Sequence, residues 1–256
     1  MDTQLDEIAD GIYRISTFLP AIGPDGFTVN QFLVVADEPL LFHTGLRAMF
    51  PSVVTTVARV LPVPRLRWIS FGHVEADECG AVNLLLAVAP HAEVAYGPVD
   101  AAVALDDLCD RPPRALAPGE ALDLGGRRVV AIPTPHVPHN REAQVLLEET
   151  TKTLLCGDLF TQTGRPRPLA TTSPVEAAVD AQARLGFAAP GPALPAAARR
   201  LAAHHPRTLA VMHGSSFEGD GATALTDLAD AWELRFGSAP ARPPIPDSNH
   251  TKETTP

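Results

Sequence analysis

Five short apolar runs in this chain share one grammar, and that grammar narrows the possible folds more than any compositional figure. Each starts on a charged or polar residue, continues through apolar positions, and closes on a side chain able to bind a metal. The runs are EPLLFH ending at His43, RWISFGH at His73, RRVVAIPTPH at His136, TKTLLCGD at Asp158 and RTLAVMH at His213. Short apolar runs bounded by polar residues are strand-like. Strand ends along one sheet edge are where α/β folds assemble sites, because rigid strands hold loops that are free to converge. Between the runs, apolar residues recur at helical spacing over Phe50 to Val60, Glu78 to Val88, 98–108, 174–185, 193–203 and 222–235. GIYRIST, TVNQFLVVA and EPLLFH read as a meander; EALDLGGRRVVAI, turning at Gly125-Gly126, and AQVLLEETTKTLLC read as hairpins. Mixed strand pairs with helices outside predict an α/β fold, an αββα sandwich of two mixed β-sheets flanked by helices.

A chain of 256 residues suits one such domain, expected over residues 1–239, followed by a disordered Pro-rich tail over 240–256. The formal charge of −10 repels phosphate backbones and excludes nucleic acid as a partner. No run approaches the ~18 apolar residues of a membrane span. The acidic start MDTQLDEIADG lacks the basic-then-apolar order of a secretory signal, so a soluble, cytoplasmic protein is expected. Cys79, Cys109 and Cys156 are scattered and read as small buried hydrophobes. Ala- and Pro-rich helices offer apolar surface through which a homodimer could form.

GHVEADECG, residues 72–80, concentrates donors. An extended chain alternates its side chains, which puts His73, Glu75 and Asp77 on one side. Asp77 and Glu78 also stand at the start of the following helix, where its dipole favours acids; that reading accounts for an acidic cap but not for His73 and Glu75. His73, Glu75, His136 and Asp158 are expected to hold one ion, and Asp77, Glu78, Asp158 and His213 a second. Asp158 bridges, since a carboxylate has two oxygens. Such a carboxylate-rich set suits iron, with manganese or zinc as alternatives.

These residues resemble the metallo-β-lactamase superfamily, whose pattern is HxHxDH, a lone His, an Asp after Gly and a final His. Glu75 in place of the second His is similar to the flavodiiron and oxygen-binding diiron proteins, with HxExDH. HVP at 136–138 and CGDLF at 156–160 are similar to their HWP and bridging-Asp segments. The resemblance implies a pair of iron ions that bind or reduce O2 or NO, with His73, Glu75 and His136 on one ion, Asp77 and His213 on the other, and Asp158 on both. The chain reaches Pro256 without a flavodoxin-like segment, so electrons would come from a separate donor protein. Glu78 stands where both subgroups carry His, and is expected to be a substitute ligand or, with Asp77, an acid that moves protons. His43, where relatives carry Asp before TG, is expected to orient a ligand from behind. His139 is expected to stabilise its loop beside the ligands. The same motif order also suits a metal-dependent hydrolase of an ester, lactone or thioester, with Asp77 assisting proton transfer.

Overall fold

The structure, a computed structural model, describes residues 1–237. The expected tail, 240–256, lies outside them, as do the last residues of the expected domain.

The first half of the chain forms one seven-stranded sheet in sequential order: β1 (Thr3–Ala9), β2 (Ile12–Leu19), β3 (Phe27–Val34), β4 (Leu40–Phe42), β5 (Trp68–Ser70), β6 (Glu93–Tyr96) and β7 (Arg114–Ala115). Its first four strands are antiparallel, as short turns allow, and β4 to β7 run parallel because helical crossovers separate them. Those crossovers contain α1 (Phe50–Val57), α2 (Ala76–Cys79), α3 (Val82–Val88) and a helical stretch made of α4 (Pro98–Asp100), a π-turn at Ala101–Leu105 and α5 (Asp106–Leu108). The second half forms another sheet from β8 (Ala121–Asp123), β9 (Arg128–Pro133), β10 (Gln144–Glu148), β11 (Thr153–Leu155), β12 (Leu169–Ala170), β13 (Thr208–Ala210) and β14 (Ser216–Glu218), in the order β12-β14-β13-β11-β10-β9-β8. Helices α6 (Val175–Leu185), α7 (Ala193–Ala202) and α8 (Gly221–Phe236) cover it.

Side-chain alternation divides the apolar residues into three layers. On β4, Leu40 and Phe42 face the second sheet and join Trp68, Leu146, Leu155 and Ala210 between the sheets, while Leu41 turns the other way to pack with Val53, Val57 and Leu85. A third layer joins the second sheet to its helices through Val145, Leu154, Leu209, Leu225 and Trp232. This is the αββα sandwich expected. Polar residues tie the sheets together near their strand ends: Asn30 donates from Nδ2 to the carbonyls of Val211 (2.8 Å) and Gly214 (3.0 Å), and Arg14 donates to the Gly214 carbonyl (3.0 Å).

Three differences from the expected elements have local causes. Strand β1 is a sheet edge, half open to solvent, so its apolar pattern is weak. The helix expected from Glu78 to Val88 is interrupted because the Ala81 N–H leaves the helical ladder and donates to the Gly45 carbonyl (3.0 Å) and Thr44 Oγ1 (3.1 Å). Strands β12 and β14 are too short to show a period. The three cysteines are free and buried, as expected.

Glu148 closes β10 with a buried carboxylate that accepts the N–H groups of Thr150 (3.0 Å) and Thr151 (2.7 Å) and the Thr151 hydroxyl (2.5 Å). Burial pushes its pKa up, but these hydrogen bonds outweigh burial and hold the carboxyl below its ordinary value. A depressed folded pKa contributes stability above the unfolded value, and the contribution is lost as pH falls through the folded one. Glu148→Gln is therefore expected to cost about 1–3 kcal/mol at pH 7. Urea titrations should show that gap shrinking on acidification; a gap constant down to the acid transition would overturn the assignment.

Candidate metal centre

Every expected ligand-bearing strand end lies at the same edge. The chain leaves β5 through Phe71 and Gly72 to His73, β11 through Cys156 and Gly157 to Asp158, and β13 through Val211 and Met212 to His213. Gly157 takes a left-handed turn (φ 53°), a conformation that glycine adopts without steric cost, and so swings Asp158 off the strand line. Glu75 is the extended residue before α2, and Asp77 lies in that helix's first turn.

Four side chains converge. His73 Nε2 lies 2.7 Å from Glu75 Oε2 and 2.9 Å from His139 Nε2, and His139 Nε2 is 3.1 Å from Glu75 Oε2. Asp158 Oδ2 completes the group, 3.5 Å from His139 Nε2 and 3.9 Å from His73 Nε2. One donor atom from each of the four falls within 4.8 Å of all the others, a spread that fits around a single cation. The other oxygen of Asp158, Oδ1, faces a second group: it lies 3.2 Å from His213 Nε2, which is 3.3 Å from Asp77 Oδ2. Asp158 thus presents one oxygen to each group.

The charges respond accordingly. Burial opposes protonation of His73, but Glu75 and Glu78 raise its pKa to about 11. Burial likewise opposes protonation of His213, and Asp158 and Asp77 raise it to about 10. Burial pushes Asp158 up, yet His213, His73 and His139 bring it down to about 2. Glu75 is held well below the carboxylate range by hydrogen bonds from His139 and His73. Two protonated Nε2 atoms cannot point at each other across 2.9 Å, so His73 and His139 share at most one proton there. These shifts describe a pocket whose anions demand positive charge and whose imidazole lone pairs are aimed inward. The donors fit a metal: Asp158 Oδ1 is buried without a hydrogen-bond donor, and the ring orientations are fixed from behind. His213 Nδ1–H donates to the Thr28 carbonyl at 2.7 Å, which leaves Nε2 free to coordinate.

Three expected placements differ. His136 is exposed, and His139 takes its place in the group. The reason is the turn. His136 adopts φ 62° with its N–H bonded to the Asn140 carbonyl (2.7 Å) and stays exposed, while Val137 and Pro138 are buried and His139 lies beside His73. His139, expected to stabilise its loop, lies in the group itself. Glu78 faces neither group. It is fully buried behind His73, where Oε2 accepts the His73 N–H (2.6 Å) and Oε1 lies 3.1 Å from Nδ1. Gly72 makes this possible, since a Cβ there would lie 3.0 Å from both carboxylate oxygens. Glu78 thus lies behind His73, within hydrogen-bond reach of its N–H and Nδ1, rather than in either group. His43 stands one step further back, with Nε2 3.5 Å from Glu78 Oε1 and Nδ1 on the Asn30 carbonyl (3.2 Å).

With the geometry in place, comparison decides the family. The family described as ODP family beta lactamase matches residues 27–181, more than half of the chain. The chain belongs to the ODP beta-lactamase family. Its sandwich is the metallo-β-lactamase fold. Among solved structures, the metal-soaked Flv1 flavodiiron core from Synechocystis sp. PCC6803 superposes with TM-score 0.77 at 25% identity, covering 90% of this chain and 60% of that one. The rubredoxin oxygen:oxidoreductase of Desulfovibrio gigas gives 0.76 at 20%, covering 90% and 62%. In sequence, a putative diflavin flavoprotein A 3 from Synechocystis sp. is 31% identical over 116 residues, 43% of this chain and 19% of that protein. A hydroxyacylglutathione hydrolase of Acidiphilium cryptum is 30% identical over 239 residues, 87% of each chain. The chain thus spans only about a fifth of the flavoprotein it matches and about three fifths of the flavodiiron structures.

In this beta-lactamase-family site, His136 and His139 make a direct test of the turn. His139→Ala is expected to weaken metal binding about 10–100-fold, while His136→Ala leaves it within about twofold. Equilibrium dialysis with a competing chelator reads both, and the reverse ranking would return the ligand to His136.

Proposed function

We propose that the chain carries a non-haem diiron centre that binds or reduces O2 or NO, with electrons supplied by a separate partner protein in the cytoplasm. Glu75 carries this reading. A carboxylate standing 2.7 Å from His73 Nε2 and 3.1 Å from His139 Nε2 makes the first group an oxygen-and-nitrogen set without sulfur, which suits iron better than zinc. Its likeness to a flavodiiron core and to a rubredoxin oxygen:oxidoreductase supports the same choice. His73, Glu75 and His139 would hold one ion, Asp77 and His213 the other, and Asp158 both. Iron bound there supplies the electrons and the open coordination positions that a diatomic needs. The residues do the rest: Glu78 and the Thr28 carbonyl fix the tautomers of His73 and His213, and Asp158 sets the spacing of the two groups.

Metal analysis of protein purified with iron available should give about two irons per chain, and the reduced protein should consume O2 or NO. Zinc alone at full occupancy, with no gas consumption, would overturn the reading. One observation favours a second: the hydroxyacylglutathione hydrolase likeness extends over 87% of each chain. On that reading the site hydrolyses a thioester, and Asp77, 3.3 Å from His213 Nε2, moves the proton. Turnover of a thioester panel by a zinc-loaded protein inert to both gases would select it.

A further inference from the structure

One buried residue of β3 touches the supports of both ion groups. Strand β4 ends at Phe42, opposite Phe32, and His43 turns off it with φ 66°, so β3 has no partner strand on that side before Phe32. The loop after β13, which carries His213, fills the gap. Of the four consecutive carbonyls from Val211 to Gly214, Asn30 holds three: its backbone N–H donates to Met212 (3.0 Å), and its Nδ2 donates to Val211 (2.8 Å) and Gly214 (3.0 Å). Thr28, two residues back on the strand, takes the His213 Nδ1–H on its carbonyl (2.7 Å) and the Gly214 N–H on its hydroxyl (2.8 Å). The Asn30 amide cannot be turned round, since Oδ1 in place of Nδ2 would face two carbonyls. Its orientation leaves Oδ1 buried without a donor among the described residues, a cost that most buried polar groups avoid. At its other end, the Asn30 carbonyl accepts the His43 Nδ1–H (3.2 Å). His43 Nε2 lies 3.5 Å from Glu78 Oε1, and that same oxygen lies 3.1 Å from His73 Nδ1.

We infer that Asn30 is a positioning residue whose two ends serve different ions: the side-chain amide sets the loop that presents His213, and the main-chain carbonyl braces His43 behind Glu78 and His73. Asn30 itself contributes no donor to either group. The assignment rests on reading these two groups as a metal centre, and it is independent of which metal or gas they take. Its consequence is a split. A change confined to the Asn30 side chain disturbs the His213 group and leaves the His73 group in place, whereas a general loss of packing would weaken both.

Asn30→Asp keeps the shape of the side chain and replaces its two donors by an oxygen. Zinc titrations followed by the NMR ring signals of His73 and His213 report the two groups separately. The ion at His213 should bind about 10–100-fold more weakly in the variant, while the ion at His73 stays within about threefold of wild type. His43→Ala, which releases the Asn30 carbonyl and spares its amide, should show the opposite split. A second readout needs no metal: the ring proton on His213 Nδ1 should exchange slowly with solvent in the metal-free wild type and lose that protection in Asn30→Asp. Asn30→Ser, which keeps one donor, is the milder variant should Asn30→Asp fail to fold, with a smaller loss of the same kind. Equal weakening of both ions, or an unchanged His213 group in both readouts, would overturn the inference. A wild-type protein that binds a single ion would instead sink the two-ion reading, and the His213 ring proton would still decide the role of Asn30.

Discussion

On the diiron reading, Asp158→Ala protein is expected to lose both ions together, falling from the roughly two metals per chain proposed for the wild type to less than about 0.2 at saturating metal concentrations. The two oxygens of this one buried side chain are divided between His139 on one side (3.5 Å) and His213 on the other (3.2 Å), so neither group keeps its anionic share without it. Loss of one ion with retention of the other would show that the groups are independent. The metal-free protein should also suffer. Breaking a buried ion pair by removing one partner costs about 3–5 kcal/mol. The pH window follows from both shifts. Asp158, depressed to about 2, contributes once pH exceeds its unfolded value near 4. His213, raised to about 10, contributes fully below its unfolded value near 6.5 and loses that contribution as pH climbs towards 10. The stability gap between wild type and variant should therefore be widest between about pH 4 and 6.5 and should narrow in alkali. Thermal melts of the chelator-treated proteins across that range measure it.

Glu78→Ala should raise the metal dissociation constant of the first group about 10–100-fold while leaving all of its ligands in place. The variant frees Nδ1 of His73 from its partner at 3.1 Å and leaves the His73 N–H, now bonded at 2.6 Å, buried without an acceptor. It should also destabilise the fold by about 1–3 kcal/mol through that orphaned donor. Glu78→Gln keeps an acceptor for the N–H and loses the charge, so its affinity should fall between the two. If Glu78→Ala instead removed one ion outright while the other bound normally, Glu78 would be a ligand after all. Isothermal titration with Fe(II) under anaerobic conditions separates these outcomes.

The strand ends were legible because their pattern repeats, and repetition is what distinguishes a site from a lone histidine. His73, Glu75, Asp77, Asp158 and His213 come together from three separate loops, and the periodicity that placed them at strand ends also placed the loops at one edge. What escaped was the fine geometry of two turns. At 134–139 the sequence offers two histidines three residues apart, and the choice depends on a left-handed backbone at His136 that no local composition demands. No local signal separates them, since 135–139 is a turn in which Val137 and Pro138 are both buried and strand alternation does not say which histidine faces inward. Glu78 escaped because its position in the first turn of α2 explains an acid there equally well, and only the proximity of Gly72 shows the carboxylate folding back onto His73.

The six inward-facing donors are drawn evenly from the two halves of the chain: His73, Glu75 and Asp77 follow the first sheet, His139, Asp158 and His213 the second. A cation held among them is then a rivet across the sandwich. Without it, acidic side chains from both halves face one another with protons as the only counter-charge, and the sheets rely on Asn30, Arg14 and the apolar layer to stay closed. Each tenfold rise in free metal above its dissociation constant would add about 1.4 kcal/mol to the folded state. The lifetime of this protein would thus follow the supply of its metal, and scarcity would remove the chain as well as its activity.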